Sequence, residues 1–109
     1  MVDAKELNRF SDKCIKTFLD EIHFFEFLEE ELLDIAAQGY KKLRITEGAL
    51  ELKLKRFCRS RNYTETNIKD ICYNLFYRNY YINELRKRGY TVDFDPWDNV
   101  LRIDWSAAI

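Results

Sequence analysis

With 109 residues and an aromatic complement of eight Phe, seven Tyr and two Trp, the chain has the apolar volume for one packed core, which argues against a disordered segment or a disulfide scaffold. Charged residues interrupt every apolar run, so neither a membrane span nor a secretory leader is expected. A formal net charge of −1 gives little long-range attraction for nucleic acid.

At the N-terminus, Asp3 followed by Glu6 has the spacing of a capping box. No proline or glycine follows until Gly39, and Ile15, Phe18, Ile22, Phe25, Leu28 or Leu32, and Ile35 recur at helical steps. Ser11-Asp12 could restart the helix after a break near Phe10, so one long helix or two segments both fit. Phe24 and Phe27 fall off the main stripe, and either widen the buried face or stay exposed. Gly39 supplies a left-handed stop.

The next stretch alternates, with Leu43 and Ile45 before Glu47-Gly48 and Leu50, Leu52 and Leu54 after it. The alternation predicts a β-hairpin turning at Glu47-Gly48. Ile45 would then face Leu50, Leu43 would face Leu52, and Arg44 would face Glu51, with Lys42 against Lys53 as the one discordant pair. Phe57 to Tyr63 reads as a basic connector. Thr64 or Thr66 can cap a second helix running to about Arg88, with Ile68, Ile71, Cys72, Leu75, Ile82 and Leu85 as its stripe. Gly89 stops it. A second hairpin follows, with a turn over Pro96 to Asn99 that sets Phe94 against Leu101, Val92 against Ile103, Tyr90 against Trp105 and Asp93 against Arg102.

The predicted fold is α+β in the order helix, hairpin, helix, hairpin: two helices packed on a four-stranded antiparallel sheet. Residues 1–109 form one domain, written as a helix-plus-hairpin unit over 1–57 and another over 58–109. Phe24, Phe27, Tyr77, Tyr80 and Tyr81 exceed what one stripe per helix buries in such a domain, which predicts a homodimer.

Signals for catalysis are sparse. His23 is the sole histidine, and Cys14, Cys58 and Cys72 lack ligand spacing, so neither a metal nor another cofactor is expected. An odd number of cysteines without C-x-x-C spacing suits reduced thiols in a cytoplasm. Glu51-Leu52-Lys53 is an E-x-K triplet of the kind that metal-dependent nucleases place on a strand, with Glu30, Asp34 or Glu47 needed to complete the site. Any half-exposed strand alternating Glu and Lys contains the same triplet, and the upstream Asp is missing. No enzyme is therefore predicted.

Charge is segregated instead. Seven acids and no Lys or Arg lie between Asp20 and Asp34, whereas eight bases and two acids lie between Lys41 and Arg61. Glu26, Glu29, Glu30 and Asp34 form one helical ridge suited to a basic protein partner. Lys53, Lys55, Arg56, Arg59 and Arg61, interleaved with Phe57 and Tyr63, are candidate contacts to phosphates and bases. The two charged segments could equally pair with each other.

The stretches "IAAQGYKKLRI" and "ELRKRGYTVDFDPWDNVLRIDW" resemble segments of short, uncharacterised proteins of tailed bacteriophages and prophages. Ala36, Ala37 and Gly39, then Arg88, Gly89, Tyr90, Ile103 and Trp105, carry the resemblance. It covers about half the chain and brings no catalytic residues. It implies a viral accessory protein that acts by binding in the host cytoplasm, with a host or defence-system macromolecule as target. A nucleic-acid-binding protein using residues 53–63 and a virion or assembly component are the alternatives.

Overall fold

The computed structural model describes residues 1–108. Asp3 caps the first helix, α1 (Ala4–Glu21), its carboxylate accepting the Glu6 N–H at 3.0 Å. The helix runs unbroken through Phe10 and Ser11. It stops at Ile22, and His23 turns the chain in a left-handed conformation (φ 55°) into α2 (Phe24–Ala37). The break near Phe10 that the sequence allowed is thus replaced by one twelve residues later, from Ser11 to His23. Rotating the helix axis there buries Ile22, Phe24, Phe27 and Leu28 together.

Gly39 follows α2 at φ +89°, and its N–H donates to the Ala36 carbonyl; Gly89 repeats the arrangement at φ +95°, donating to Arg86. Positive φ is a conformation that only glycine adopts at little cost. The repeated helix–Gly–Tyr–strand plan is therefore real as far as the strand that follows.

Beyond that point the two halves diverge. β1 (Lys42–Thr46) does not turn back into a second strand, because Glu47–Ser60 is a helix, α3. The predicted hairpin at Glu47-Gly48 is wrong, and with it the pairs Ile45–Leu50, Leu43–Leu52 and Arg44–Glu51. Thr46 caps α3, its hydroxyl accepting the Ala49 N–H at 3.2 Å. Leu50, Leu54 and Cys58 form the buried stripe, whereas Leu52 is 51% exposed. Ala, Leu, Glu, Lys and Arg favour a helix over a strand.

The second predicted helix is likewise two. Thr64 and Thr66 bond each other rather than capping it, and α4 (Ile68–Tyr73) follows a left-handed Asn67. Asn74 then caps α5 (Leu75–Lys87), accepting the Phe76 N–H at 2.9 Å.

The second hairpin forms as read. β2 (Thr91–Asp95) and β3 (Val100–Asp104) pair antiparallel with Val92 against Ile103, Phe94 against Leu101 and Asp93 against Arg102. Tyr90 and Trp105 meet edge to face at 6.5 Å between ring centroids. β1 joins the other side of β3, with Leu43 against Ile103 and Ile45 against Leu101. The sheet is three-stranded, in the order β1-β3-β2, rather than four-stranded. The α+β class holds.

One apolar cluster draws on every element, from Leu19 of α1 to Ile103 of β3. Phe24, Phe27 and Tyr81 are fully within it, and Tyr77 and Tyr80 pack partly against it. The aromatic surplus that predicted a dimer is thereby absorbed, because the five helices of the described residues cover more surface than two would. Among the described residues no helix is long and apolar enough to cross a membrane.

Candidate functional site

The α1–α2 break brings the acidic ridge and the basic connector face to face. His23 stacks on Tyr63 at 3.6 Å between ring centroids, and its Nδ1 lies 3.2 Å from Glu26 Oε2. Arg61 donates from Nη1 to Glu26 Oε1 at 2.7 Å and from Nη2 to Glu30 Oε1. The Tyr63 hydroxyl donates to Glu26 as well. Arg61 also sits over the Phe57 ring at 4.6 Å, and Phe57 in turn packs edge-on against Phe27.

Three further bases of the segment are engaged too. Lys53 pairs with Glu31 at 3.2 Å, Lys55 with Glu51 at 3.2 Å, and Arg59 with Glu65 at 2.9 Å. Exposed pairs of this kind add little stability. Their consequence is electrostatic: two fields of opposite sign cancel within a few ångströms. Among the described residues Arg56 has no ion-pair partner, nor have the carboxylates of Glu29 and Asp34.

The ridge also divides around the α2 axis. Glu26 and Glu29 line an open groove of about 750 Å³ between α2 and the far end of the sheet, where Phe25, Leu28, Tyr90 and Trp105 contribute apolar surface and Arg88 a positive rim. Leu33 in the same groove is 61% exposed. Glu30 and Asp34 face a smaller groove of about 350 Å³ against α3, beside Lys53 and Arg56.

The E-x-K triplet lies on α3 rather than on a strand, and both of its charged groups are paired, Glu51 with Lys55 and Lys53 with Glu31. No three His, Cys, Asp or Glu side chains are placed to hold a metal among the described residues. Burial pushes the Cys72 thiol up to about 12 and raises Cys58 as well, so neither supplies a thiolate near neutrality.

Sequence reasoning passed over Trp97, which is 93% exposed. It stands on a fixed turn: Asp95 Oδ1 accepts the Trp97 N–H at 2.9 Å and the Asp98 N–H at 3.4 Å, and Asn99 takes the left-handed position. These bonds hold the Asp95 carboxyl below its ordinary range, the Trp97 N–H contributing most. The D-P-W-D-N string was the available signal, since a tryptophan inside a tight turn has no core to enter. The comparisons add no relative: no protein-family model, no curated protein and no solved structure matches the chain.

Proposed function

We propose that the chain is a non-enzymatic binding protein that engages a protein partner through the groove beside α2, in the manner of the small tailed-phage accessory proteins it resembles. The observation that carries this reading is the internal pairing of the basic segment. Lys53, Lys55, Arg59 and Arg61 each hold a carboxylate of their own chain, and Phe57 and Tyr63 are packed among other rings. Phosphates would have to displace those carboxylates, and bases would have to displace those rings. The α2 groove offers instead an open apolar floor with Glu29 and Arg88 on its rim, neither holding an ion-pair partner among the described residues, which suits an apolar segment carrying charges of both signs. Action on a host or viral protein in the cytoplasm accords with three free cysteines, two of them buried.

Co-purification from cells of the natural host, with wild type beside a Glu29→Lys/Leu33→Asp variant, tests the reading. A stoichiometric protein present with the wild type and lost with the folded variant is the expected result. The nucleic-acid reading wins if an oligonucleotide binds with a steep salt dependence and Arg56→Glu/Arg59→Glu alone abolishes that binding.

A further inference from the structure

We propose that two copies of the chain associate through α1, the second copy's α1 lying antiparallel along the first. The surface is distinct from the α2 groove, so either reading can fail without the other. Every residue from Met1 to Lys13 is exposed, and Leu19 is the first fully buried side chain of α1. Leu7 and Phe10 nevertheless keep the apolar spacing of the helix, and they are 55% and 64% exposed. A projecting helical segment of this length has marginal stability in water unless its apolar face is covered.

The charges select a copy of the same helix as the cover. Leu7, Phe10 and Cys14 occupy the seam positions of a short coiled coil. When Leu7 of one copy packs against Phe10 of the other, antiparallel geometry sets Glu6 beside the partner copy's Lys13, and the two-fold axis repeats that contact. Glu6 and Lys13 are both exposed, and neither has an ion-pair partner among the described residues. Phe76, 74% exposed, lines the same α1–α5 groove of about 670 Å³ as Phe10, and the incoming helix would cover it. The two phenylalanines offer roughly 200–350 Å² per copy, against about 800 Å² on each side of a standard interface. The pair is therefore a reversible dimer rather than an obligate one.

Sedimentation equilibrium of the full chain over a concentration series tests this. A monomer–dimer equilibrium with a dissociation constant of order 10 µM is expected. Phe10→Asp should give a monomer with an unchanged helical circular dichroism spectrum. Glu6→Lys or Lys13→Glu alone should weaken association about tenfold, through two lost contacts and two new repulsions. Combining the two should restore it, since the swap rebuilds both pairs. A monomer persisting to about 1 mM, a dimer indifferent to Phe10→Asp, or a double swap that restores nothing would overturn the proposal. So would a Cys14–Cys14 disulfide forming readily under mild oxidant, because the antiparallel register sets Cys14 beside the other copy's Asp3.

Discussion

Arg78 reaches across from α5 to place Nη1 2.7 Å from Glu47 Oε1, at the first turn of α3, with its guanidinium 3.8 Å from the centroid of the Phe94 ring. Both side chains are nearly buried, 12% and 6% exposed, and Glu47 Oε1 and Arg78 Nε have no well-formed hydrogen bond among the described residues. The contact is thus an ion pair without the hydrogen-bond geometry that best offsets desolvation. The Glu47 N–H donates to the Asn99 carbonyl, so the same residue ties α3 to the β2–β3 turn.

Removing Arg78 strands the buried Glu47 carboxylate. Arg78→Met should cost about 2–4 kcal/mol, whereas Glu47→Leu with Arg78→Met should recover most of the loss, because an apolar pair carries no desolvation penalty. Urea unfolding of the three proteins measures both. A double variant no better than the single would show that the ion pair is net stabilising.

The same pair sets a pH dependence. Burial raises the Glu47 carboxyl above its ordinary value, and Arg78 opposes this only in part. The folded protein therefore binds the Glu47 proton more tightly than the unfolded chain does. That contribution is fully present below the unfolded carboxyl value of about 4.3 and is lost as pH rises through the folded one. The stability of wild type relative to Glu47→Gln should accordingly increase as pH falls from neutrality. A difference that stays flat, or shrinks on acidification, would contradict it. Asp95 and Asp104, both held low, act in the opposite sense, and the comparison with Glu47→Gln cancels them.

Two substitutions distinguish helix from hairpin over Glu47–Leu54. A Cβ on Gly48 would meet nothing closer than the Tyr73 hydroxyl at 3.7 Å. Gly48→Ala should then stabilise the protein by about 0.5–1 kcal/mol, as expected inside a helix. Leu52→Lys should be neutral to within about 0.5 kcal/mol, since the side chain already faces solvent. In a hairpin both changes would destabilise, and thermal melts read the sign directly.

Gly89 is the complementary case. Space surrounds its Cα, yet its φ of +95° strains any residue with a Cβ. Gly89→Val should cost about 1–2 kcal/mol from backbone strain alone. An unchanged melting temperature would be inconsistent with the left-handed stop.

The thiols should react unequally. Cys14 is partly exposed, while Cys58 and Cys72 are buried, and Cys58 donates to the Ile22 carbonyl at 3.4 Å. In dilute native protein one thiol of the three should react with an aromatic disulfide reagent, and all three after denaturation. Immediate reaction of all three in the native state would mean that the core is not closed as described.

What the chain determined by itself is what neighbours in sequence decide. The Asp3 cap involves residues three apart, Gly39 and Gly89 stop helices whatever lies beyond them, and the β2–β3 register follows from one short turn with alternating faces. Tertiary structure decided the rest. Leu50 and Leu54 fit a two-residue period and a helical one equally, and only Leu52 separates the two, by being left in solvent. Without a strand beyond Gly48, β1 had to find its partner in β3, which arrives only at Val100. The candidate site depends on separations as long: Arg61 meets Glu26 across 35 residues, and that contact turned two apparently independent charged surfaces into one ion-paired cluster. Local pattern cannot register such pairings, because their free energy exists only once the shared core has brought the segments together.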